Sequence, residues 1–298
     1  SSNQMNRGRT TFICLMLAPA VLLYGGLVLW PMLQAFYLSL FNWSGLSDIR
    51  TFVGFQNYRL LLSEQPPHFK RFLGHNLQFL IVTVAVVLPL ALFFAANLTR
   101  RTKGSSFYRA VYLFPNVISV VAVASLWFFI YDRDLGLLNA FLELIGLSGL
   151  ARTWLGDPST ALYAIIATSI WAGLGFYILL FNAGVQNIPE YFNEAAELDG
   201  ATGLQRFRHV TLPLIWEVFK LGFLYLVIHC INLFGLVYVL NLNQPNSDTD
   251  VILTYLYQKA FAESDFGYAA AIAAVGFVII LITVLLSLRL LKRETVEF

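Results

Sequence analysis

The sequence predicts an all-α integral membrane protein with six transmembrane helices, and three observations carry that prediction. Of 298 residues, 58% are hydrophobic and only 12% are charged, against about 45–50% and about 25% in soluble domains. A water-soluble fold with so little charge leaves too much apolar surface facing water. The apolar residues gather in six runs of 19–23 residues, each long enough to cross a hydrocarbon core. The 19 Lys and Arg residues then divide twelve to seven between the two sides of such a six-span arrangement, the asymmetry that orients membrane proteins.

The runs are 12–30, 77–98, 111–131, 161–181, 218–240 and 268–288. The first follows Arg7 and Arg9, and Ala18-Pro19-Ala20 faintly resembles a cleavage site. The run continues to Trp30, ten residues past Ala20, which is too long for a cleaved signal core, so it reads as the first span. Five runs contain no Asp, Glu, Lys or Arg; the fifth carries only Lys220, close enough to its start to reach the interface. The Lys/Arg-rich side holds both termini and is expected to be cytoplasmic. Trp30, Tyr37, Trp43, Tyr131 and Trp154 stand where aromatic rings anchor spans at the interface. The stretch 135–150 is too short to cross and is expected to lie on the outer face as an interfacial helix. Gly25-Gly26 and the small residues 269–274 suggest close helix packing.

The same arithmetic excludes other classes. A net charge of +2 without a basic tract argues against nucleic-acid binding, and the high apolar content argues against disorder. Cys14 and Cys230 both lie in apolar runs, so neither a disulfide framework nor a metal cluster is expected.

One loop breaks the pattern. Residues 183–213 read AGVQNIPEYFNEAAELDGATGLQRFRHVTLP and crowd Glu190, Glu194, Glu197, Asp199, Arg206 and Arg208 together. Pro189 suits the first turn of a helix, and Glu190 favours the same end. Ala195 to Leu198 are strong helix formers, and Asp199-Gly200 supplies a turn. Thr202 is placed to cap a second short helix running to Thr211, which Pro213 is expected to stop before the fifth span. Ala195, Ala196, Gly200 and Ala201 allow close approach, and Leu204 and Phe207 offer apolar bulk, so the element reads either as a docking knob or as an interfacial anchor.

The block EAAELDGATGLQRFRHVTLP resembles the EAA motif of binding-protein-dependent ABC importer permeases, with Glu194-Ala195-Ala196, Gly200 and Leu212-Pro213 in register. FVGFQNY (52–58), FYRAVYLFPNVIS (107–119), WLGDP (154–158) and NAGVQNIPE are similar to the carbohydrate-uptake branch, the maltose and glycerol-phosphate type, and follow its order along nearly the whole chain. Val210 stands where isoleucine is common and Asn182 where leucine is common. The resemblance implies the type I ABC importer permease fold, with 183–213 as a coupling helix seated on a cytoplasmic ATPase. It implies contact through Glu194, Ala195, Ala196, Asp199, Gly200, Ala201, Arg206 and Phe207. It further implies two ATP-binding subunits, an extracytoplasmic solute-binding protein, and a second, homologous permease making a heterodimer, with homodimerisation the alternative. The short basic tail and FVGFQNY resemble the first permease of such pairs. No GxxxxGK[ST] occurs, so the chain has no phosphate cradle of its own; ATP and Mg are expected on the partner ATPase, with no cofactor here.

Polar side chains at membrane depth are functional candidates. In the third span these are Asn116 and Ser119, behind Pro115, which can loosen the helix. In the fourth they are Ser169, Tyr177 and Asn182, beside Phe176, with Gly173 and Gly175 leaving room. In the fifth, His229 and Asn232 lie three residues apart, on nearly one face, and the ring of Phe234 follows. Gapless alignment to the family brings Asn116, Ser169, Gly173, Phe176 and His229 onto sugar-contacting positions. The competing use of such groups is helix–helix hydrogen bonding. A membrane-embedded hydrolase would need a carboxylate or a nucleophile paired with the only deep histidine, His229, and none lies within a helical turn of it. An ion channel would need a re-entrant filter, and none is visible.

Overall fold

The computed structural model describes residues 2–66, 68–97 and 105–293. Arg100, Arg101, Lys103 and the expected end of the second span at Leu98 lie outside them. The chain order is α1 (Ser2–Tyr24), α2 (Trp30–Leu38), β1 (Phe41–Asn42), β2 (Thr51–Phe52), α3 (Gln56–Ser63), α4 (His68–Asn97), α5 (Ser105–Val117), α6 (Val120–Ile130), α7 (Leu137–Leu144), α8 (Ala161–Gln186), α9 (Glu190–Leu198), α10 (Gly203–Arg206), α11 (Leu212–Leu214), α12 (Trp216–Ile231), α13 (Gly235–Leu240), α14 (Ile252–Tyr257) and α15 (Phe266–Leu290). Among the described residues four stretches are long and apolar enough to cross a membrane, and six if two sharply bent helix pairs each count as one span.

One compact unit comprises Ser1–Gln65 with Leu256–Phe277. Its first span runs on from Phe12 to Leu38, eight residues beyond the predicted end, because Met32 to Leu38 are themselves good helix formers. Pro31 has no N–H to give, and a wide π turn over Gly25–Leu29 immediately precedes it, absorbing the missing bond. A Cβ at Gly25 or Gly26 would meet nothing within 4 Å, so these glycines pack against no other element among the described residues. After α2, the two-residue strands pair antiparallel, Phe41 opposite Phe52. The FVGFQNY block ties this turn down: buried Asn57 donates its amide to the carbonyls of Ser39 (2.8 Å) and Phe41 (2.9 Å), and the Tyr58 hydroxyl bonds that of Ser39 at 2.6 Å.

The other unit, Pro66–Tyr255 with Val278–Phe298, holds the main core. Phe79, Val87 and Ala91 of α4 pack with Ile165, Ile166 and Phe181 of α8, and with Leu226 of α12 and Val237 of α13, all fully buried. Two spans read as continuous in the sequence are broken. The third turns by 97° between α5 and α6, for two reasons. Pro115 removes a hydrogen bond from the last turn of α5, and Ser119, extended at ψ 145°, restarts the chain by accepting the Ala122 N–H. The fifth stops at Ile231 and resumes at Gly235. Pro213 does not end the helix before it: α11 runs through to Leu214, and the 78° bend falls at Ile215.

The segment between α6 and α8 contains α7, close to the interfacial helix expected over 135–150. Buried Asn139 organises it, donating to the carbonyls of Arg133 (2.9 Å) and Arg152 (3.0 Å) and accepting Trp154 Nε1–H at 2.8 Å. Tyr131 is buried and donates to the Ala164 carbonyl at 2.8 Å. Tyr131 and Trp154 therefore hold helices and loop together, where the sequence suggested interface anchors. The Asp132 carboxylate accepts the N–H groups of Leu135 and Asp134, and the Asp157 carboxylate accepts the Ser159 hydroxyl and N–H. Each set of bonds holds its acid below the usual carboxylate range, led by Leu135 N–H for Asp132 and by the Ser159 hydroxyl for Asp157.

Candidate translocation site and coupling element

The two breaks meet. Gly235 at the start of α13 would place a Cβ 3.3 Å from Val120 at the start of α6, so two half-helices begin side by side. A cavity of 310 Å³ opens there, and Asn116, Ser169, Gly173, His229 and Asn232 all line it. These five candidates come from three different spans. Ser169 is only 7% exposed, and its hydroxyl has no hydrogen-bond partner among the described residues. At Gly173 a Cβ would find only the Tyr177 ring, at 4.0 Å, so the site keeps room for a solute. Asp, Glu, Lys and Arg are absent from the lining. The walls offer amide, hydroxyl and imidazole groups, and the first N–H groups of a helix such as α6 have no partner within it. Half-helices broken at a polar cavity are the arrangement by which transporters expose backbone to a solute inside the bilayer.

The other three pathway candidates stand elsewhere. Ser119 serves as the cap of α6. Phe176 packs against Tyr177 and Tyr225, ring centroids 5.2 and 5.0 Å away. Tyr177 is buried in the core. Gly175, expected to leave room, instead lets α5 approach α8, since a Cβ there would collide with the Tyr112 carbonyl. Asn182, also polar and deep, donates to the Ala95 carbonyl at 3.2 Å across α8 and α4. Phe234, the aromatic residue that follows His229 and Asn232 in the fifth span, also lines the cavity and stacks on Tyr238 with centroids 5.2 Å apart.

The loop after α8 forms two short helices. Glu190 begins α9, with Pro189 as its cap residue. Asp199 closes α9, and Gly200 turns the chain at φ +75°, a conformation that favours glycine. Thr202 caps α10 in a reciprocal box with Gln205, and a π turn over Phe207–Thr211 carries the chain on to α11. Arg206 forms an ion pair with Glu197 across the turn, bracing the two arms. Glu194, Ala195, Asp199 and Gly200 are exposed, and Ala196 and Ala201 half-exposed. Leu198 is 90% exposed and Leu204 77%. Phe207 is half-buried and, with Leu204, lines a cleft of 910 Å³ shared with Leu92 of α4 and Phe219 of α12. The apolar tip of the hairpin is Leu198 with Leu204.

Spans broken at a polar cavity, together with a braced hairpin projecting from the membrane domain, define a multi-pass permease. Residues 87–294 match the model of the family described as binding-protein-dependent transport system inner membrane component; the chain belongs to that family. It is 37% identical over 264 residues to the probable ABC transporter permease protein YurN of Bacillus subtilis, covering 88% of this chain and 89% of that protein. It is 31% identical to the trehalose/maltose transport system permease protein MalF of Thermococcus litoralis, covering 90% and 89%. A bacterial ABC transporter that imports the acidic polysaccharide alginate has a chain that superposes with a TM-score of 0.81 at 24% identity, covering 99% of this chain and 100% of that one. At that identity the match speaks for the fold alone.

Proposed function

We propose that the chain is the transmembrane permease subunit of an ATP-driven importer that carries a sugar, oligosaccharide or sugar derivative into the cytoplasm by alternating access. The observation that carries this reading is the convergence of Asn116, Ser169, His229 and Asn232 on one uncharged cavity at the breaks of two spans. Such a lining can exchange hydrogen bonds with a polyhydroxylated solute and has no ion-pairing group to hold one tightly. The printed names of relatives support the sugar class: trehalose/maltose for MalF, diacetylchitobiose for NgcF of Streptomyces coelicolor. Energy arrives from outside the chain, through Glu194, Ala195, Ala196, Asp199, Gly200, Ala201, Arg206 and Phe207 of the hairpin, from two ATP-binding subunits that hold ATP and Mg. A homologous permease completes the pathway, and an extracytoplasmic binding protein delivers the solute. Both termini then face the cytoplasm of the bacterial or archaeal cell whose inner membrane holds the complex.

The test is ATPase activity and uptake in proteoliposomes containing the whole complex, across a panel of sugars. Stimulation by one class of sugar, lost without the ATP-binding subunits, is the expected result. Uptake that persists without those subunits overturns the reading.

A further inference from the structure

We propose that the groove at the C-terminal end of α2 binds an anionic phospholipid, its phosphate on Arg50 and its acyl chain against Trp30 and Leu33. The groove, open to one side, has a volume of 520 Å³ and lies within one compact unit, walled by Trp30, Leu33, Gln34, Tyr37, Trp43 and Arg50. It is graded in polarity. Trp30 opens α2 and Leu38 closes it, a rise of about 12 Å along the helix axis. The walls pass over that distance from indole and leucine to a guanidinium. The segment is the end of the Phe12–Leu38 span, so the apolar end sits at acyl-chain depth and the charged end at headgroup depth.

Interface anchoring by aromatic rings needs no groove and no organised cation, and both are present here. Trp43 is fixed by its Nε1–H bond to the Ser47 carbonyl at 2.7 Å and by the Phe266 ring 5.8 Å away. The Arg50 guanidinium lies over the Trp43 ring, 4.5 Å from its centroid. A guanidinium held over an aromatic face still carries N–H donors, the groups that grip phosphate in a bidentate fashion. Arg50 makes no ion pair among the described residues. An unneutralised cation above an apolar slot at the membrane boundary matches an amphiphile with a negative head.

The test uses the full chain in nanodiscs of phosphatidylcholine, into which phosphatidylglycerol with brominated acyl chains is titrated while tryptophan fluorescence is followed. Trp30 and Trp43 line the groove, so the expected result is a quenching component that saturates at low mole fraction of phosphatidylglycerol and shrinks in W30F. Brominated phosphatidylcholine is expected to give only unsaturable bulk quenching. R50Q is expected to weaken the saturable component about fivefold, the worth of one basic residue at an anionic surface. R50K, which keeps charge and loses the planar fork of donors, is expected to fall between and guards against a folding defect in R50Q. Equal quenching by the two lipids, or an R50Q curve matching the unmodified chain, overturns the proposal. Displacement of the brominated lipid by inorganic phosphate overturns it too, reducing the groove to a site for free anions.

Discussion

The side-chain amide of Asn76 donates to the main-chain carbonyl of Cys230 at 3.0 Å, at the last turn of α12 before its break. The same side chain reaches the Ile231 carbonyl at 3.4 Å and accepts the Ile252 N–H at 3.0 Å. One buried residue of α4 thus pairs backbone groups of α12 and α14. Where a helix stops at membrane depth, its freed carbonyls must find donors within the protein. Asn76 supplies them and so fixes where the fifth span ends, three residues short of Phe234 at the cavity.

Replacing Asn76 by alanine leaves these groups buried and unpaired, at about 1–3 kcal/mol for each one that finds no new partner. N76A is expected to lower the melting temperature of the detergent-purified chain by several degrees. N76D keeps the acceptor but turns an anion towards two carbonyls, and is expected to be worse. A scanning-fluorimetry series of both variants checks the order.

Gly173 and Gly175 separate packing from passage on one helix. G175A drives a methyl into the Tyr112 carbonyl, which is backbone and cannot swing aside, so it is expected to destabilise or misfold the chain. G173A meets only the Tyr177 ring at van der Waals distance and is expected to fold normally. Its methyl enters the cavity, however, and transport should need a higher solute concentration. Size-exclusion profiles of both variants and uptake kinetics for G173A distinguish the two effects.

Asp132 and Asp157 set an acid limit on the segment between α6 and α8. Both carboxyls are held below their ordinary value by bonds to the ionised form. Their stabilising contribution is therefore complete above the unfolded value of about 3.9 and is lost as pH falls through the folded one. Melting temperature is expected to be flat from these groups between about pH 5 and 9, and to fall in more acidic buffer. D132N and D157N are expected to lower the plateau slightly and to flatten the acid limb.

Which parts of this were legible in the sequence follows from what hydropathy measures. A run of apolar residues marks burial in lipid, and among the described residues each run falls on helix, two of them with a break, because lipid leaves the backbone little other choice. Hydropathy does not register where a run changes direction. Ile118-Ser119 and Leu233-Phe234 are as apolar or as small as their neighbours; the first break lies behind a proline, and the carbonyls freed at the second are met by the distant Asn76. The hairpin was legible because its signals are local: Pro189, Gly200 and the Thr202–Gln205 cap act within a few residues. Asn116, Ser169, His229 and Asn232 were legible as polar exceptions in apolar runs. Ser119 and Tyr177 give the same signal but serve a cap and the core, and only tertiary structure separates the two uses.

The hairpin prediction follows from how open its tip is. A Cβ at Gly200 meets nothing within 4 Å, so G200W costs the free chain only the left-handed backbone penalty, about 1–2 kcal/mol. Glu194 is exposed and E194K disturbs no ion pair formed among the described residues. The Glu197–Arg206 pair is partly exposed and worth at most about 1 kcal/mol, so E197Q should barely move the melting temperature. If the tip seats in an ATP-binding subunit, bulk at Gly200 and reversed charge at Glu194 strike the joint itself. The double variant is then expected to reach the membrane at normal levels while sugar-stimulated ATPase activity in the assembled complex falls about tenfold or more, as when a central contact of an interface is lost. Normal stimulation in that variant, measured alongside E197Q as a control, would show that the hairpin carries no coupling.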